Sequence, residues 1–314
     1  MGLNPVPVPP DVFALDAHSL RYGHFHRNGG GVDLETYRVT EVDKDLFAAG
    51  PLGGPMHDPE VLRSLLSALQ DSLEQPITEA SIVLPDAWMR LAFVEAEDLP
   101  KGSVARDEIL RWKLQRMVPF RVEELRLQGI EAKEVASNGT IRRLLIGFAL
   151  ETLLRQIEGA FADRGIQLGL ITNDSLGCLS AAGDALRDVE LGAVTYVSGA
   201  GYSLTFVLRG EPILQRFKAL PQLAGDEPSA QLVKRDLKLT ELYLREKLTT
   251  HSLGRVLLVS PPEIEERWLG WLSDAFDQPA HLLKREHVPL TLPAAVSSIH
   301  DVGPLFGAAR MVVR

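Results

Sequence analysis

The sequence predicts an α/β protein of two similar halves, and three observations carry that prediction. The stretch "VFALDAHSLRYGHF" (12–25) places two strand-like apolar runs on either side of a short polar turn, as a half-buried β-hairpin does. About half a chain later, "TYVSGAGYSLTFVLRGEP" (195–212) repeats strand, turn, strand, turn at similar spacing with few identical residues. Each run is followed by an amphipathic helix and a short buried strand, the alternation that builds sheets covered by helices. At 314 residues and 45% hydrophobic content the chain can fill two cores.

Taken in order, the Pro-Val alternation of residues 1–10 reads as an extended, polyproline-like arm. Val12–Asp16 and Leu20–Phe25 form the first hairpin, and "HRNGGG" turns the chain through Asn28 and its glycines into a third strand near Leu34–Thr40. Asp58 caps a helix with Pro59 at its first position and Leu62, Leu65, Leu66, Leu69 and Leu73 on one face. "SIVLP" and "RLAFVEAEDLP" are strands turned by Pro85 and Asp86, and Ser103 caps a helix that runs through Val118 to Pro119. "ELRLQGIEAKEV" and "IRRLLIGFAL" pair antiparallel through Ser137–Gly139, and Glu151–Arg164 is a helix stopped by Gly165. Three strands over Gly192–Leu220, a helix over Pro228–Lys247, a buried strand at Arg255–Ser260 and a helix over Glu263–Phe276 complete the second half. "GPLFGAARMVVR" is a small-residue helix suited to close packing.

A formal charge of −9 gives no global basic field to draw the chain onto nucleic acid or anionic lipid. The single cysteine, Cys178, sits in an apolar context and reads as a small buried hydrophobe in a reducing compartment. The N-terminus has no signal-peptide pattern, Val6 stands where a myristoylation signal needs Ser or Thr, and no apolar run is long enough to span a bilayer. His18, His24 and His26 could approach one another, but no Cys or acidic residue lies at ligand spacing, so no metal is expected. Lys234, Arg235, Lys238, Arg245 and Lys247 are interleaved with acids, as on a solvated helix face. The adjacent pairs Glu123, Glu124 and Glu265, Glu266 diverge and make no acid/base pair, and no Walker, Rossmann, nucleophile-elbow or zinc motif is present.

The order of "LDAHSLRYGHF", "DEILRWKLQRMVPFRVEEL", "LLIGFALETLLRQIEGAFADRGIQLGLIT", the second hairpin ending "QRF" and the terminal "FGAARMVVR" resembles the actin-like ATPase superfamily over nearly the whole chain. Within it the chain is similar to the type IV pilus assembly family PilM, and more distantly to the cytoplasmic part of type II secretion platform proteins. The resemblance implies an actin-like (ribonuclease H-like) fold with a small α+β subdomain inserted in the first half. It divides the chain into 1–80, the insertion 81–164, a return over 165–191, a second domain over 192–296 and a C-terminal helix, 297–314, packed back on the core.

The family's first phosphate hairpin reads Asp-x-Gly-[Ser/Thr]. Here Asp16 and Ser19 remain, His18 takes the glycine position and the turn is shorter. In the second hairpin Val197 stands where an aspartate belongs, with Gly199 and Gly201 still permissive, and Pro261 and Pro262 replace the glycines of the adenosine turn. These departures imply a scaffold without ATP hydrolysis and without a required ATP or Mg²⁺. An active ATPase, with Asp16 orienting a metal, and the cytoplasmic domain of a type II secretion platform protein remain the alternatives; in the scaffold Asp16 is a plain turn former. The implied partner is the cytoplasmic tail of a bitopic, PilN-like inner-membrane protein, with a pilus motor ATPase and self-association as further contacts. The protein would be cytoplasmic and peripheral to the inner membrane. Trp88, Met89, Arg90, Phe120 and Arg121 either close the small domain's core or form a groove for that tail, with the aromatics as anchors and the arginines at the rim.

Overall fold

The computed structural model describes residues 6–313 except 29–30, 44–45, 48–51, 97–99, 101, 119–120, 132–141, 221–226, 249, 294–295 and 297. The chain begins with β1 (Val6–Pro7), β2 (Asp11–Leu15), β3 (Ser19–Asn28) and β4 (Gly31–Glu41), followed by helix α1 (Pro59–Asp71). Asp58 accepts from the Glu60 N–H and Pro59 opens the helix, as its sequence implies. After β5 (Glu79–Leu84) the chain leaves this sheet through β6 (Met89–Ala96), α2 (Ser103–Gln115), β7 (Leu125–Glu131) and β8 (Arg142–Leu150). It returns as α3 (Glu151–Ala162), β9 (Gln167–Asn173) and α4 (Asp174–Ala182). The second half holds β10 (Leu191–Ser198), β11 (Gly201–Leu208), β12 (Glu211–Ala219), α5 (Glu227–Lys247), β13 (Leu253–Val259), α6 (Glu265–Phe276) and β14 (Ala280–Leu282). β15 (Leu290–Thr291), α7 (Ile299–Arg310) and β16 (Val312–Val313) end the chain.

The duplication is topological. One sheet has the order β15-β4-β3-β2-β5-β9 and the other β12-β11-β10-β13-β14. In each, a three-stranded antiparallel meander (β2-β3-β4; β10-β11-β12) continues into two parallel strands (β5, β9; β13, β14) on the side of its first strand. α4 and α7 lie between the sheets, where Cys178, Ala181, Leu305 and Phe306 share a core with Val12 and Phe25 of one sheet and Tyr196 and Val259 of the other. α1 and α3 cover the outer face of the first sheet, α5 and α6 that of the second.

Several boundaries differ from the sequence reading. The excursion from the first sheet is the three-stranded sheet β6-β8-β7 with α2, narrower than 81–164: β5 pairs with β2 and β9 inside the large sheet, and α3 packs on α1. β15 pairs with β4 of the first sheet, although its residues fall within 192–296. Val6–Pro7 of the expected arm pairs with Val312–Val313, tying the two ends of the chain together. Ser103 is the first residue of α2 and Gly102 its cap. α7 starts four residues before Gly303, because the Ser298 hydroxyl accepts from the His300 N–H. Pro119, Gly29, Gly30 and the turn Ser137–Gly139 lie outside the described residues.

Candidate functional site

At the end of β2 the chain turns back through Ala17 and His18, and the Asp16 carboxylate closes that turn. Its Oδ1 accepts from the N–H groups of His18 (2.7 Å) and Ser19 (2.8 Å), and its Oδ2 from the Ser19 hydroxyl (2.8 Å). The His18 residue itself is exposed. Arg21, buried on β3, brings Nη2 to 3.5 Å from Asp16 Oδ2 and donates from Nη1 to the Asp301 carbonyl (3.0 Å) in the first turn of α7. Burial alone works against the Arg21 charge, but Tyr196, Asp174, Asp16 and Tyr37 together outweigh it and raise its pKa above the ordinary guanidinium value.

The β10–β11 turn faces the same helix from the other half. Val197 is fully buried in the outer core of the second sheet, and its carbonyl accepts from His300 Nε2 at 3.0 Å. The His300 ring stacks on Tyr196, with centroids 5.4 Å apart and planes 14° from parallel. Gly201 is required: its φ is +149°, and a Cβ there would lie 2.1 Å from the Lys218 carbonyl on β12. Gly199 has open space around it and no positive φ. Pro261 and Pro262 follow Ser260 at the end of β13 and start the 3-10 turn Pro262–Ile264 that leads into α6. The first turn of α7 therefore touches both hairpins, through Arg21 on one side and Val197 on the other.

A second polar junction, which the sequence reading passed over as a turn, centres on Asp86. This fully buried carboxylate follows β5 and accepts from Asn173 Nδ2 (2.6 Å), the Ser175 hydroxyl (2.7 Å) and N–H (3.2 Å), and the Ser203 hydroxyl of β11 (2.7 Å). It therefore joins the β5 end, the α4 N-terminus and the second sheet. Burial pushes its pKa up to about 6, against the pull of its Ser203 and Ser175 donors and of Arg90. Asp174, also buried, is pushed well up by burial and by the neighbouring Asp86 charge. The signal was present in "LPD" and "TNDS": polar residues at the C-terminal ends of parallel strands, the edge where α/β sheets place their sites.

No family model matches the chain, and no curated protein matches it. Among solved structures it is similar to the PilM-PilN type IV pilus biogenesis complex, at a TM-score of 0.74 and 15% identity over 96% of this chain and 97% of that one. It is also similar to a Bacteroides thetaiotaomicron protein of actin-like ATPase fold and unknown function, at a TM-score of 0.53 and 11% identity over 94% of each chain. The chain has the actin-like ATPase fold. Its two halves are the meander-plus-parallel sheets, and its small α+β insertion is the β6-β8-β7 sheet with α2. No described helix is long and apolar enough to cross a membrane.

Within this actin-like fold the four described residues of the five proposed for a groove do not gather. Trp88 is buried in the first-half core, its ring 4.2 Å from that of Phe47 and covered by Gly53, where a Cβ would lie 2.2 Å from the indole. Met89 packs against the same core. The Arg121 side chain is exposed and pairs with Glu124 at 2.8 Å. Phe120 lies outside the described residues. Of the four described, Arg90 lines a groove of about 670 Å³ between the insertion and the second half, and its guanidinium stands 5.0 Å over the Phe217 ring. The spacing of "LPDAWMR" placed Trp88 beside a turn but could not show that a distant loop covers it.

Proposed function

We propose that this chain is a non-catalytic, actin-like scaffold of a type IV pilus-type assembly platform, cytoplasmic in location, that holds the cytoplasmic tail of a PilN-like membrane protein. The observation that carries the reading is the likeness to the structure of the PilM-PilN complex over nearly the full length of both chains, insertion included. The two hairpins support the absence of turnover. A Mg²⁺–ATP cradle needs free backbone N–H groups at the first turn and a carboxylate at each turn. Here Asp16 takes the N–H groups of its own turn, Arg21 stands beside that carboxylate, and Val197 turns into the core. The residues present do not fit that group.

The test is titration of the whole protein with a synthetic peptide of the cytoplasmic N-terminal segment of the PilN-like protein from the same genome. Saturable binding with one peptide per chain is expected, and a scrambled peptide of the same composition should not bind. Absence of binding by the folded protein, or equal binding of the scrambled peptide, contradicts the tail-holding role.

A further inference from the structure

The groove beside Arg90 has a character that the tail of a membrane protein does not match. Four cations line it, Arg90, Lys113, Arg116 and Arg143, against one carboxylate, Glu95, in a chain whose formal charge is −9. Each cation lies against an aromatic face: Arg116 4.4 Å and Lys113 5.8 Å from the Trp112 ring, Arg143 4.6 Å from Phe93 and Arg90 5.0 Å from Phe217. Stacking fixes a guanidinium plane and leaves its N–H edge directed at whatever lies alongside. Burial lowers the pKa values of Arg90 and Arg143, so their charges are held at a desolvation cost that an anion in the groove would relieve. Among the described residues Lys113 and Arg116 have no carboxylate within ion-pair distance.

The apolar part is equally open. Trp112 is 53%, Met117 54% and Tyr243 43% exposed, and all three line the groove. Its lining includes residues 90–95 of β6, which among the described strands pairs with β8 and stands at the edge of its sheet. Cytoplasmic segments next to a membrane span carry an excess of Lys and Arg, which a cationic groove repels. The occupant this groove fits therefore differs from the tail.

We propose that the groove between β6, α2 and β12 docks an extended, acidic segment of a second cytoplasmic protein. Carboxylates of that segment meet Lys113, Arg116, Arg143 and Arg90, and its apolar side chains lie on Trp112, Phe217 and Tyr243. The chain would then join a membrane-anchored partner at one place to an acidic partner at another. This inference rests on the groove alone and stands or falls separately from the tail-holding role.

The probe is a fluorescent octapeptide alternating Glu with Leu and Phe, followed by anisotropy with the whole protein. Expected are saturable binding, at least a tenfold loss in the charge-reversed variant Lys113→Glu/Arg116→Glu, and no binding of the same peptide with Lys in place of Glu. Arg116, the residue that caps α2, is exposed and Lys113 in its last turn is half-buried, and an unchanged melting temperature shows that the variant is folded. No saturable binding to the unsubstituted protein, equal binding of the Lys peptide, or indifference to the charge reversal overturns the proposal. So does concentration-dependent dimerisation that the same reversal abolishes, since the occupant would then be a second copy of this chain.

Discussion

Gly307→Ala is expected to lower the melting temperature by roughly 5 °C, the effect of about 3 kcal/mol on a chain of this size. α4 and α7 cross at the centre of the molecule with almost nothing between their backbones. A Cβ on Gly307 would lie 1.7 Å from the Gly177 carbonyl oxygen, and one on Gly177 would lie 2.5 Å from that of Pro304. The methyl group must push the helices apart, and the core between the sheets opens with them, since Leu305 and Phe306 on one helix and Cys178 and Ala181 on the other fill it. Helix propensity favours alanine by only about 1 kcal/mol and cannot offset this. Gly303→Ala on the same helix is the control. Its Cβ would meet only Ile299 Cγ2 at 3.4 Å, an ordinary contact, so thermal melting should show no loss. Equal losses at the two positions would refute the close-crossing account.

The second large effect is at Asp86. Asp86→Ala removes an acceptor from three donor side chains and one N–H in a site without solvent, and is expected to cost roughly 3–5 kcal/mol. Asp86→Asn keeps one oxygen and removes the charge, so it reads the titration. Because the folded pKa of about 6 lies above the unfolded carboxylate value, this residue's contribution to stability is fully present below about pH 4 and is lost as pH rises through about 6. The stability deficit of Asp86→Asn relative to the unsubstituted protein should thus be largest near pH 4 and shrink toward pH 7, by an amount on the order of 3 kcal/mol. Asp174 titrates with it, so the difference belongs to the pair. Glu151, held down to about 2 chiefly by its Arg126 hydrogen bond, works in the opposite direction at lower pH, which is why the variant difference and not the raw profile is the quantity to measure. A deficit independent of pH from 4 to 7 would show that Asp86 does not titrate in that range.

What could be read from the residues was mostly periodic or local. The hairpins, the α1 cap at Asp58 and Pro59, the Gly165 stop and the apolar faces of α3 and α6 all follow from spacing and turn chemistry, and the structure has them. The plan of two halves was legible because the same strand–turn–strand order occurs twice, and its actin-like character came from the resemblance of the quoted motifs. What failed depends on residues far apart in the chain. Nothing within "LPDAWMR" shows that Trp88 is covered by Gly53, or that Asp86 meets Ser203 across the interface. Arg21 looks like a polar strand residue until α7, some 280 positions later, offers it the Asp301 carbonyl. The cationic groove brings together Arg90 of β6, Lys113 and Arg116 at the end of α2 and Arg143 of β8, beside β12, and these charges are unremarkable one at a time.

On the proposed reading, the actin-like fold serves here as a scaffold without a working nucleotide cradle. Calorimetric titration of the folded, nucleotide-free protein with ATP and Mg²⁺ addresses it most directly. The account predicts no saturable heat up to millimolar ATP, because Asp16 is engaged by its own turn, Arg21 lies beside it and Val197 faces the core. Saturable binding in the micromolar range would contradict it, and would mean that the two hairpins cradle phosphate despite His18, Val197, Pro261 and Pro262.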